Sequence, residues 1–91
     1  MEVLNEHKLK YLNRRVLELE ELRNCLTSNN FEFAMMIGHK LKGNGETFGF
    51  PNISVIGNLL EKAALDKDRD KVQENIEKLA LSVQEGFVAL S

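Results

Sequence analysis

Apolar residues recur at spacings of three and four along nearly the whole chain, the period of a helix with one buried face. Leu9, Leu12, Val16, Leu19, Leu22 and Leu26 make the first such stripe and predict a helix over 5–26. Thr27 to Asn30 interrupt it. Ser28, Asn29 and Asn30 suit the cap of a second helix, because their side-chain oxygens accept the unpaired amide hydrogens of a first turn. That helix is predicted over 31–48. Gly49, Phe50 and Pro51 break it: proline excludes the helical conformation for the residue before it but fits the first turn of a following helix. The third helix, over 52–66, carries Ile53, Ile56, Leu60 and Ala63 or Ala64. Asp66 to Asp70 form the last turn, and Val72, Ile76, Leu79, Val83, Phe87 and Leu90 stripe a fourth helix over 69–90. Four amphipathic helices with short connections predict an all-α fold, an antiparallel up-down four-helix bundle filling a single domain over 1–91. No internal repeat, linker or low-complexity tract divides the chain.

Composition narrows the setting. A chain of 91 residues is long enough to bury one core without metals or disulfides. Its one cysteine, Cys25, falls in the apolar pattern of the first helix, so a buried thiol in a reducing, cytoplasmic environment is expected. The longest apolar stretches, such as Phe33 to Ile37, fall far short of the roughly 20 residues of a membrane span. Met1 to Tyr11, which contains Glu2 and Glu6, does not read as a signal peptide. Net charge is −2 and the acidic residues are spread along the chain. No basic stripe with interleaved aromatics offers itself to nucleic acid.

The second helix holds the candidate chemistry. On a helical wheel Ala34, Ile37, Leu41 and Phe48 share a narrow arc, and His39 lies about 170° from its centre, which points the imidazole into solvent. Glu32, Met35, Lys42, Gly43 and Glu46 share the outward face, with Met36 at its margin. Exposed methionines beside a glycine predict a docking patch, since methionine adapts to a partner's shape and glycine lets a partner approach. An interior glycine costs about 1 kcal/mol relative to alanine, so the glycines here need compensation. Close helix packing is expected at Gly38 and Gly45, helix termination at Gly49, and approach of a partner at Gly43.

The string His39-Lys40-Leu41-Lys42-Gly43, followed by Gly49, resembles the signature of histidine phosphotransfer domains, and Pro51, Ile53, Ile56, Leu60, Glu61 and Ala63 continue the likeness over roughly 33–65. The outer helices agree in length and periodicity. Asn44-Gly45-Glu46 departs from that family, which more often has small residues there. The resemblance implies a phosphocarrier rather than an autonomous enzyme: His39 accepts a phosphoryl group on its outer ring nitrogen and exchanges it with the aspartate of a response-regulator receiver domain, with a hybrid sensor histidine kinase as a further partner. Imidazole titrates near neutral pH and keeps one nitrogen unprotonated, and its phosphoramidate stays reactive enough to pass the group onward. Lys42, one turn from His39 on the same face, can set its ammonium against the phosphoryl oxygens; Lys40 lies farther around the helix. Met35, Met36, Lys40, Gly43 and Glu46 are the candidate docking residues. No acidic cluster or metal-ligand set is expected around His39, so the chain needs no cofactor of its own and the Mg²⁺ of the transfer belongs to the receiver. A monomer is expected.

Other readings fit less of the sequence. Gly38 to Gly43 has the spacing of a phosphate-binding loop, but Asn44-Gly45 replaces the required Lys and Ser or Thr, and no strand precedes it. A histidine kinase dimerisation helix usually has an acidic residue where Lys40 stands. His7-Lys8-Leu9-Lys10 mimics the start of the signature, but Tyr11 replaces the glycine and Leu9 belongs to the apolar stripe. A metal site would need another ligand three or four positions from His39, where Met35, Met36, Lys42 and Gly43 stand. A helical adaptor that binds a receiver or kinase through the same face without carrying phosphate is the competing class.

Overall fold

The four periodic runs become four helices in the computed structural model, which describes residues 3–91: α1 (Asn5–Thr27), α2 (Phe31–Asn44), α3 (Pro51–Leu65) and α4 (Arg69–Leu90), with no strand among the described residues. Met1 and Glu2, part of the reading against a signal peptide, lie outside them. The caps follow local chemistry. Asn30 begins α2, its side-chain oxygen accepting from the Phe33 amide at 3.2 Å, and Asp68 begins α4 by accepting from Lys71 at 3.2 Å. Pro51 takes the first position of α3, where a missing N–H is no loss.

One cluster of apolar side chains joins the helices. Leu12 and Leu22 of α1, Leu41 of α2, Ile53 and Leu60 of α3, and Val72, Ile76 and Leu79 of α4 are fully buried. Each is worth about 1.5–3 kcal/mol relative to an exposed side chain. α1 packs on α2 and α4, and α3 packs on the same two helices, an arrangement consistent with a four-helix bundle. At about 1.5 Å per residue, the long α1 and α4 account for the 36 Å length of the molecule.

Two expectations are corrected. α2 ends at Asn44, not at residue 48, because the Glu46 amide donates to Ser54 Oγ at 2.7 Å instead of to the helix. The chain still closes on Gly49, whose φ of +91° is accompanied by bonds from Gly49 N to Glu46 O and from Phe50 N to Gly45 O. The second correction concerns α1. Leu9 and Val16 are exposed, while Tyr11, Arg15 and Glu18 are buried beside Leu12, Leu19, Leu22 and Leu26. Tyr11 stacks on Phe48 and Phe50 at centroid distances of 4.6 and 5.7 Å, and Arg15 lies 4.2 Å over its ring. Arg15 is paired with Glu18 at 2.7 Å. This contact turns the buried face of α1 away from the simple leucine stripe.

α2 and α3 meet backbone to backbone. A β-carbon on Gly38 would lie 2.6 Å from Glu61 N and 2.8 Å from Gly57 O, and one on Gly57 would lie 2.5 Å from Lys42 N. Only paired glycines permit this approach. Gly45 is likewise tight against Ser54, 2.6 Å from its backbone nitrogen to an added β-carbon.

Candidate functional site

The burial of Ala34, Ile37 and Leu41 fixes the rotation of α2 and leaves the His39 side chain 73% exposed. The Gly38–Gly57 contact then determines what His39 meets. With α3 lying so close, Glu61, one helical turn after Gly57, brings its carboxylate to the imidazole: Glu61 Oε2 is 2.8 Å from His39 Nδ1. The other oxygen, Oε1, lies 3.8 Å from Lys42 Nζ. The Glu61 side chain is only 23% exposed, so it is held against α2.

The chemical consequence is a choice of tautomer. A carboxylate accepts hydrogen bonds and donates none, so in the neutral ring the proton resides on Nδ1 and the lone pair on Nε2. Nε2 is the nitrogen away from α3, free to act as a nucleophile. A group added there leaves a positive ring that the carboxylate stabilises.

His39, Lys42 and the carboxylate of Glu61 thus form one connected set, with Gly43 on the next turn. A β-carbon on Gly43 would find no atom within 4 Å, so the surface there is open. The methionines trade the places expected of them: Met36 is 49% exposed, whereas Met35 is half-buried and packs on the core. The 100° between neighbours on a helix carries Met35 toward the seam while Met36 stays out. Lys40 and Glu46 are exposed, and Lys40 makes no ion pair among the described residues. His7 is exposed and sits 3.9 Å from Glu6.

Sequence reasoning noted Glu61 only as part of the motif that follows the histidine, and expected no acidic cluster at His39; one acidic partner is nonetheless in contact. The signal for it is the pairing of glycines: Gly57 and Glu61 share the α3 face that Gly38 allows onto α2. Among the described residues no group of three or more His, Cys, Asp or Glu is placed to hold a metal ion. No helix among them is long and apolar enough to cross a membrane. No family model, curated protein or solved structure matches the chain.

Proposed function

We propose that this chain is a cytoplasmic, monomeric histidine phosphotransfer protein, a phosphocarrier that exchanges a phosphoryl group with receiver-domain aspartates. The observation that carries the reading is the exposed His39, with Nδ1 held by Glu61 and Lys42 on the same carboxylate. In the accepting step Nε2 attacks the phosphorus of an aspartyl phosphate in line; the P–N bond forms as the P–O bond to the aspartate breaks, and the aspartate leaves as a carboxylate. Mg²⁺ held by the receiver would neutralise charge on the transferring oxygens. Lys42 steadies those oxygens as they arrive, and Glu61, a positioning residue, stabilises the phosphorylated imidazolium through Nδ1–H. Return of the group to a second receiver reverses the same bonds. The exposed Met36 and open Gly43, with Met35, Lys40 and Glu46 at the margins, form the docking face. The short connections between the helices favour an up-down antiparallel arrangement within a single domain.

The same open face supports a second reading, a helical adaptor that binds a receiver or kinase domain without carrying phosphate. His39→Gln separates them. A phosphorylated receiver and Mg²⁺ are mixed with the purified chain. Acid-labile, alkali-stable label on the chain, absent from His39→Gln while binding persists, supports the carrier. Binding with no label transferred to the parent chain or to His39→Gln supports the adaptor.

A further inference from the structure

The seam between the first half of α1 and the end of α2 carries a cleft that phosphotransfer does not use. Its volume of about 340 Å³ is at the lower end of those that hold small organic ligands. The partly buried ring of Phe48, stacked on the buried Tyr11, supplies an apolar wall. Lys10 and Arg14 stand at its rim on exposed positions, and neither makes an ion pair among the described residues.

The polar groups left to a ligand are donors. Tyr11 OH donates to Asn44 Oδ1 at 2.6 Å, which commits the amide oxygen and leaves the amide N–H₂ available. Arg15, another lining residue, has a side chain only 7% exposed; its Nη2 donates to Glu18 at 3.2 Å, its Nε and Nη1 are enclosed without a hydrogen-bond partner, and the donors within reach of a ligand are those of Lys10, Arg14 and Asn44. No aspartate or glutamate among the described residues lines the cleft, and His7 adds a fifth nitrogen-bearing side chain. Unmatched donors, net positive charge and an aromatic wall together specify an acceptor-rich, negatively charged ligand with an apolar body.

We propose that this cleft binds a small organic oxyanion, a carboxylate or phosphate monoester carried on a flat apolar body. The oxyanion lies among Lys10, Arg14 and the Asn44 amide, above the Arg15 guanidinium, and the body packs on Phe48. The inference stands apart from the role of His39.

Phenyl phosphate is the probe, titrated into the full chain while backbone and side-chain amide signals are followed by NMR. Saturable shifts centred on the Asn44 amide and the Arg14 and Arg15 side chains, weakened at least about tenfold in the folded double variant Lys10→Gln, Arg14→Gln, are the expected result; tenfold corresponds to about 1.4 kcal/mol. Inorganic phosphate should bind more weakly, having no apolar body. The proposal is overturned by the absence of saturation at about 10 mM probe, by shifts centred on His39 and Lys42, by equal binding to the double variant, or by inorganic phosphate binding as well as phenyl phosphate.

Discussion

The chemistry proposed for this protein turns on which nitrogen of His39 is free. Glu61 sits 2.8 Å from Nδ1, so the reactive lone pair is on Nε2. Loss of a carboxylate that orients a metal-ligating histidine costs about 10- to 100-fold, and by that analogy Glu61→Gln is predicted to slow phosphoryl transfer by a similar factor with an unchanged melting temperature. Rapid-quench transfer from a phosphorylated receiver checks this; an unchanged rate removes Glu61 from the mechanism. His39 and Lys42 were legible in the sequence because an exposed pair one turn apart needs only the helical period. Glu61 was not, because its contact depends on how far α3 approaches α2, a distance that no single helix encodes.

At the scale of elements, the glycines of α2 and α3 divide by what surrounds them. Gly38 and Gly57 press on opposing backbone, so Gly38→Ala is predicted to destabilise by about 1–3 kcal/mol, the usual penalty for overpacking. Gly43 faces open space, and Gly43→Ala is predicted to stabilise by up to about 1 kcal/mol through helix propensity. Thermal unfolding distinguishes the two, since a change of 1 kcal/mol moves the midpoint of a domain this size by about 4–8 °C. Gly43→Trp should melt like the parent yet lose the proposed transfer, as a bulky side chain would obstruct the proposed docking face. Transfer at the parental rate would remove Gly43 from that face. The sequence located every helix, but Gly49, read as the terminator of α2, instead closes the turn that follows Asn44. The shorter end of α2 was not visible, because the claim of Ser54 on the Glu46 amide comes from the next helix.

At the scale of the whole molecule, the apolar core admits a buried ion pair. Arg15 and Glu18, both buried, pair at 2.7 Å, and Glu18→Gln should cost about 3–5 kcal/mol by leaving the guanidinium charge uncompensated. Denaturant unfolding measures it, and a loss under 1 kcal/mol, the range of exposed pairs, contradicts that view. The leucine stripe of α1 misplaced this face because Leu9 and Val16 carry the right period, whereas Tyr11, Arg15 and Glu18 are drawn inward by an aromatic stack with Phe48 and Phe50. Burial also pushes the Tyr11 phenol above its ordinary 10.0, against the pull of Arg15, and the Cys25 thiol above its ordinary 9.0. The folded state therefore holds both protons more tightly than the unfolded chain. Their contribution is fully present below the ordinary values and is lost as pH rises through the raised ones. Denaturation midpoints should fall at alkaline pH, and Tyr11→Phe should make that fall shallower; an identical alkaline slope contradicts the role of Tyr11.

Phosphorylation of His39 at Nε2 is tested most directly by long-range ¹H–¹⁵N NMR of the imidazole on ¹⁵N-labelled chain treated with a phosphorylated receiver and Mg²⁺. Phosphorus on Nε2 of His39 with a proton retained on Nδ1 is the predicted result. Phosphorus on Nδ1, on another residue, or nowhere on a chain that still binds the receiver contradicts it.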